Sequence, residues 1–242
     1  MNAGNVYDFR VEPQDVDFTL RATITSMCNC VLNTAGVDAQ RNGFGTDTLL
    51  KNDRSWVLSR MALEFDILPE QYTPFKIRTW INDGGRLLSV RNFLLTDDGG
   101  NVFGRVTSQW CMIDMVRRAP LDLSSVVELH KSYVSDEPAP CDRPRKVLTV
   151  NPQHTTEHRI VYSDIDFNRH VNTMRYIDMM LDILPIEMLA EHRPLRLDVH
   201  FIRESRYGHT LTVGYEQNGD VSLFEIKSDD GEAVCRAAIE WR

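Results

Sequence analysis

Thr96-Asp97-Asp98-Gly99 closes one run of alternating apolar residues and opens another, and it returns near the end of the chain as Ser228-Asp229-Asp230-Gly231. Asp-Gly is the corner chemistry of a tight antiparallel hairpin, because glycine accepts the positive φ that such a corner demands. After a one-residue gap, Arg105 aligns with Arg236 and Trp110 with Trp241. The first copy predicts strands over 86–93 and 102–113, and the second over 222–227 and 233–241. Chance turn chemistry is the rival reading of so short a match.

The likeness extends upstream. Phe75-Lys76-Ile77-Arg78-Thr79 alternates as a strand, and so does Thr210-Leu211-Thr212-Val213. Before these come strands expected over 56–65 and 195–202. Each half also has one helical stretch. Over 22–37, Met27, Val31, Leu32 and Ala35 fall at helical spacing; later Val171, Met174, Ile177, Leu181 and Leu184 trace a stripe that Pro185 stops. One helix followed by antiparallel strands, twice over, predicts an α+β class in which each sheet wraps a helix. Between the copies, five of the ten prolines (Pro120, Pro138, Pro140, Pro144, Pro152) mark a mostly exposed connection, with a short helix expected near 123–130. The expected units are 1–145 and 146–242.

The bulk numbers limit what such a chain does. Its 242 residues suit two domains of ordinary size, and 42% hydrophobic with 26% charged residues is the composition of a soluble globular protein. No apolar run approaches the roughly 20 residues of a spanning helix, and Met1-Asn2-Ala3-Gly4-Asn5 lacks a basic-then-apolar leader. Five cysteines without zinc spacing fit a reducing compartment, so a cytoplasmic protein is expected. A net charge of −8 argues against nucleic acid, whose phosphates need a basic face. An acidic protein partner would need a local basic patch, for which Arg117-Arg118, Arg143 with Arg145-Lys146, and Arg203 with Arg206 are the candidates, each also readable as a solvated face.

The densest polar cluster is Ser163-Asp164-Ile165-Asp166-Phe167-Asn168-Arg169-His170-Val171-Asn172, just before the second helix. A calcium loop fails, because Arg169 and Arg175 stand where it needs glycine and glutamate. Two readings remain open. Asp and Asn can simply cap the helix start with His170 solvated. Alternatively Asp166, Asn168 and His170 converge beside the helix N-terminus, whose N–H groups and dipole favour an oxyanion such as that of an attacked thioester carbonyl. A second polar cluster, Arg203-Glu204-Ser205-Arg206, interrupts an otherwise apolar strand, and at a strand position Glu204 either faces outward in a salt bridge or has been placed for work. No Gly-x-Ser-x-Gly elbow and no glycine-rich phosphate loop is present. Cys28-x-Cys30 lies in the first helix and reads as core.

These residues resemble the acyl-carrier-protein thioesterases of plant plastids and bacteria. Asp166-Phe167-Asn168-Arg169-His170-Val171-Asn172, followed by Tyr176-Ile177, is similar to that family's Asp-x-Asn-x-His-Val-Asn signature, and Phe201-Ile202-Arg203-Glu204-Ser205 resembles its second active-site strand. In the first half the likeness runs through Ala35-Gly36, Gly43-Phe44-Gly45, the segment 56–61 and Thr79-Trp80. The resemblance implies a tandem hotdog, with the first unit holding most of the acyl tunnel and the second the catalytic residues Asp166, Asn168, His170 and Glu204. Cys28, Leu32 and Trp56 are expected to contribute to the tunnel, although core packing accounts for them equally well. It implies an acyl carrier protein bearing a fatty acyl chain as partner, and no metal, cofactor or membrane insertion. A monomer or a homodimer is compatible, since the tandem supplies both units of a hotdog pair. Without a plastid transit segment, a bacterial member is the expectation. Many plant members carry a cysteine after the glutamate; here it is Ser205, a far poorer nucleophile, so a Cys–His–Asn mechanism is not expected. Two schemes remain, water activated by Glu204 or Asp166, or direct attack by Asp166, with the first preferred. Rival functions are a hotdog acyl-coenzyme A thioesterase and a non-catalytic acyl-binding module.

Overall fold

The computed structural model describes residues 4–83, 85–124 and 131–242. By internal contacts the chain divides into two compact units, Met1–Pro144 and Arg145–Arg242.

In the first unit β1 (Asn5–Arg10), β2 (Arg54–Phe65), β3 (Pro74–Asp83), β4 (Ser89–Asp97) and β5 (Val102–Asp114) form an antiparallel sheet in the order β1-β3-β4-β5-β2. A two-residue β6 (Ala119–Pro120) pairs with the end of β5. Helix α1 (Ile24–Arg41) packs on β1 and β3. It begins where the Thr23 hydroxyl accepts the Ser26 N–H at 3.0 Å, which satisfies one of the donors a helix start leaves open. It buries Met27, Cys28, Val31, Ala35 and Ala39, the 3.6-residue stripe of a core-facing helix. The strands in turn fully bury Met61, Leu63, Phe65, Phe75, Ile77, Phe93 and Leu95. Each such side chain contributes about 1.5–3 kcal/mol by leaving water. A short α2 (Thr46–Leu50) follows α1.

A buried ion pair lies inside this packing. Asp38, near the end of α1, meets Arg91 of β4 at 2.7 Å, and both side chains are only 6% exposed. Tyr7 Oη and Asn5 Nδ2 also donate to Asp38, at 3.0 and 2.7 Å. Burial pulls the Arg91 guanidinium down from its usual value, and Asp38 works against that pull. The proline-rich connection is tied to the sheet. Glu137 pairs with Arg78, Asn82 Nδ2 donates to the Ser135 and Glu137 carbonyls, and Val134 bridges Ile81. The short helix expected near 123–130 falls largely on 125–130, outside the described residues.

The second unit repeats the arrangement. β7 (His154–Arg159), β8 (Pro194–Phe201), β9 (Thr210–Asn218), β10 (Val221–Lys227) and β11 (Ala233–Trp241) are antiparallel in the order β7-β9-β10-β11-β8. Helix α3 (Thr173–Asp182) packs on β9 and buries Met174, Tyr176, Ile177, Met179 and Met180. Pro185 does end this run, as its missing N–H requires. It then serves as the N-cap of a further short helix, α4 (Ile186–Glu191), which apolar periodicity did not announce.

The repeat itself needs one correction. Gly100 N–H bonds to the Asp97 carbonyl at 3.0 Å, and Gly231 N–H to that of Ser228 at 2.9 Å; these two glycines, at φ 82° and 81°, are the equivalent corners. Asp97 therefore matches Ser228, and the offset carries through to Arg105–Arg236 and Trp110–Trp241 with no gap. Identity of residue type at Asp97-Asp98-Gly99 had drawn the alignment one position off the geometry.

Candidate active site

The polar decapeptide follows β7 and folds back on itself before α3. Ile165 and Val171 form an antiparallel bridge at its neck. At its tip, the Asp166 N–H donates to the His170 carbonyl at 2.8 Å, and Asp166 Oδ1 accepts the Asn168 and His170 N–H groups at 2.8 and 3.2 Å. A carboxylate on its own following amides is a local turn that competes with helix, which is why the chain stays looped here. Arg169 takes a left-handed conformation, φ 63°, to close the corner. The Asn172 side chain then accepts the Met174 N–H at 2.9 Å and starts α3. That donor is thereby unavailable to an oxyanion.

The second cluster lies beyond the strand rather than within it. β8 ends at Phe201, and Arg203, Glu204, Ser205 and Arg206 occupy the bend that follows. The expectation of an interrupted strand is corrected accordingly. Val171 N–H donates to the Ser205 carbonyl at 2.9 Å, and His170 bridges Arg206, so the loop and the bend are pinned together through their backbones. The pinning sets His170 Nε2 3.3 Å from Glu204 Oε1. Arg206 also reaches Glu204 Oε1, at 3.1 Å. Both side chains of the His170–Glu204 pair stay partly accessible, 22% and 35%.

Of the four candidate catalytic residues, then, His170 and Glu204 are in contact, and Asp166 is held one turn away by the backbone of the same loop. Asn168 is exposed, and its hydrogen bond to Asp166 is made through the main chain. The three tunnel candidates lie in the first unit. Cys28 is fully buried and Leu32 half-buried on α1. Trp56 donates its indole N–H to the Phe44 carbonyl at 3.1 Å and packs on Leu49, Met112 and Leu123. Burial pushes the Cys30 thiol up to about 11, a poor state for thiol chemistry. The basic patches carry acidic partners: Arg203 meets Asp230, Arg206 meets Glu204, and Arg145 meets Glu240.

Two features were not anticipated. Asp164 is completely buried behind the loop, and Arg175 and His158 bind its carboxylate. The first unit, moreover, holds a copy of the loop. Asp17 Oδ1 accepts the Thr19 N–H at 2.7 Å, Val16 bridges Ala22, Leu20 is left-handed at φ 59°, and Ala22 N–H donates to the Pro69 carbonyl at 2.8 Å. In that copy Thr19 stands for Asn168, Arg21 for His170 and Leu68 for Glu204, and Arg21 pairs with Glu70 at 2.7 Å. The signal was present as Asp15-Val16-Asp17-Phe18 against Asp164-Ile165-Asp166-Phe167.

A helix with its antiparallel sheet, built twice along one chain, defines a double hotdog protein. Residues 4–128 match the acyl-ACP thioesterase N-terminal domain and residues 149–242 its C-terminal domain, so the chain belongs to the acyl-ACP thioesterase family. It is 36% identical to the crystal structure of an acyl-ACP thioesterase from Bacteroides thetaiotaomicron, with a TM-score of 0.91 over 100% of this chain and 98% of that one. The 12:0-ACP thioesterase of Umbellularia californica shares the fold, with 21% identity and a TM-score of 0.89 over 98% and 96% of the two chains. Among curated relatives, a chloroplastic acyl-[acyl-carrier-protein] hydrolase of Cuphea viscosissima is 25% identical over 98% of this chain. The chain spans 61% of that relative's length. Among the described residues, no helix is long and apolar enough to cross a membrane.

Proposed function

We propose that this protein hydrolyses the thioester between a fatty acyl chain and acyl carrier protein, releasing the free acid. The observation that carries the reading is the meeting of His170 and Glu204 at 3.3 Å on an accessible bend, within a chain of this family. In the scheme favoured by the geometry, Glu204 takes a proton from a water molecule whose oxygen attacks the carbonyl carbon. Charge gathers on the carbonyl oxygen, the carbon–sulfur bond breaks, and the departing thiolate takes up the proton. Asn168 and His170 are assigned to hold the carbonyl oxygen, and His170 also orients Glu204. Asp166 shares Oδ1 between two backbone N–H groups. Such bonds draw charge from the carboxylate and favour water over Asp166 as the attacking group.

The first unit is assigned to the acyl chain, with Cys28, Leu32 and Trp56 among the residues that meet it, and the second to chemistry. A cytoplasmic site of action is part of the reading. So is a homodimer as an allowed but unneeded state.

To test it, purified protein is mixed with medium- and long-chain acyl carrier proteins and free fatty acid is followed. Glu204→Gln is expected to lower kcat by about 10²–10⁴-fold, the usual worth of a placed acid–base group, and Asp166→Ala, which unties the loop that carries Asn168 and His170, by about 10²-fold. No release by the wild type, or full activity in Asp166→Ala, would sink the proposal; a wild-type rate in Glu204→Gln would remove Glu204 from it. Faster turnover of acyl-coenzyme A than of the protein-borne substrate would redirect it to that carrier.

A further inference from the structure

Behind the loop, one residue gathers the segments that hold the candidate site. The Asp164 side chain is fully buried, and its Oδ2 accepts the Val161 N–H at 2.9 Å and His158 Nε2 at 2.8 Å. Its Oδ1 accepts Arg175 Nε at 3.0 Å, and Arg175 is itself held by Asp178 at 2.7 Å. The Asp164 carbonyl accepts the N–H of Asn172, the residue that caps α3, at 2.7 Å. β7, both ends of the loop and the first turn of α3 thus converge on a single carboxylate and its own peptide group.

The first unit supplies an internal comparison. There Asp15 accepts the Glu12 N–H at 2.8 Å, and its carbonyl accepts the Thr23 N–H at 2.9 Å, so the backbone frame is the same. The positions of His158 and Arg175, however, are Phe9 and Ser26. Phe9 stacks on Phe75, and Ser26 Oγ bonds to the Asp15 carbonyl instead of its carboxylate. The frame alone therefore suffices to shape such a loop. The charged clamp is added only in the copy that carries Asn168, His170 and Glu204.

We propose that Asp164, clamped by His158 and Arg175, is a positioning residue for hydrolysis: it fixes segment 166–170 so that His170 stands against Glu204. The inference rests on the hydrolase reading for its consequence and on the loop geometry for its cause. A buried carboxylate with three donors is rigid because releasing any one of them strands a polar group away from water. Looseness transmitted to His170 would be felt in the rate, since a misplacement of about 1 Å can cost about 10²-fold.

The test is Asp164→Asn in the full chain, which keeps the shape and removes the acceptor charge. Two quantities are measured, amide hydrogen exchange over 166–172 and steady-state hydrolysis of an acyl-acyl carrier protein. Exchange is expected to quicken about tenfold in that segment while α1 is unchanged. kcat should fall about 10–100-fold with KM altered less than about threefold, the pattern of an interaction realised in the transition state. Arg175→Gln should give a smaller loss in the same direction, and Arg175→Lys should recover part of it. Unchanged exchange, unchanged kcat, or a loss carried by KM alone would overturn the inference. Should Asp164→Asn fail to fold, His158→Gln and Arg175→Gln decide by the same two measurements, and wild-type behaviour in both overturns it. A wild-type chain releasing no fatty acid would overturn the hydrolase reading instead, and the exchange difference alone would then decide whether Asp164 holds the loop.

Discussion

Ser205 occupies the position that carries cysteine in many of the plant proteins resembled, next to Glu204, and its surroundings argue against a nucleophile's part. Its hydroxyl is buried without a hydrogen-bond partner among the described residues, as is that of Tyr176 on α3. The two lie close together without the geometry of a formed bond. Burial first, then nearby Cys235 and Glu204, raises the Tyr176 phenol to about 12 against an opposing effect of Ser205, so Tyr176 is no base for Ser205. What the bend uses from Ser205 is its backbone carbonyl, which receives Val171 N–H. Ser205→Ala is therefore expected to keep kcat within about threefold, and to leave stability equal or up to about 1 kcal/mol higher by deleting an unsatisfied group. Denaturation curves beside steady-state rates would check this; a loss of several orders of magnitude would restore Ser205 to the chemistry. At this scale sequence reading was least able to decide. Glu204 was ambiguous because the in–out alternation of a strand was applied past Phe201, where the strand has ended and side-chain direction follows the bend instead.

At the scale of elements, the stripes at 3.6-residue spacing located both long helices, and alternation located eight of the strands that carry apolar residues. α1 starts at Ile24 and runs to Arg41, beyond the expected end, because its last turns are held by the Asp38–Arg91 contact, a tertiary partner no local pattern displays. β7, His-Thr-Thr-Glu-His-Arg, went unseen since it is an edge strand with almost no buried face. The loop was legible as a cap and as a candidate site together; Asp166 ties the turn, and His170 reaches Glu204, the contact on which the proposed site rests. Asp164 adds a pH dependence to this element. Burial pushes its carboxyl up, but the Val161 amide, His158 and Arg175 outweigh that and hold it below the ordinary 3.8. Since the folded form resists protonation more than the unfolded chain, its contribution is whole above about pH 4 and is lost as acid lowers the pH through the depressed value. Asp182 on the same helix is shifted the other way, by burial and then Asp178, and its contribution opposes folding over a neighbouring range. Between about pH 5 and 3, unfolding free energies should therefore fall less steeply in Asp164→Asn than in the wild type. Parallel slopes would show that the clamp does not titrate with folding.

Across the whole molecule, each unit encloses a charged pair in its packing, Asp38 with Arg91 in the first and Asp198 with Arg196 in the second. Asp38 and Arg91 are both buried, so removing Arg91 leaves Asp38 a buried carboxylate with neutral donors and no counter-charge. Arg91→Met is expected to destabilise the first unit by about 3 kcal/mol in urea titration, and Asp38→Leu with Arg91→Met to recover much of it. A double variant no better than the single one would mean that the pair itself, rather than the stranded charge, matters. Periodicity, corner glycines and the recurring aromatic and arginine positions were enough to determine a duplicated α+β chain, because those signals arise from contacts between near neighbours; the family was legible through motifs, chiefly 166–172 and 201–205, that resemble it. Which residues meet at the site was decided only by tertiary structure. The meeting of His170 with Glu204 depends on the Val171–Ser205 backbone hydrogen bond and the His170–Arg206 bridge between segments distant in sequence, and nothing in the local pattern of either segment encodes the other's position.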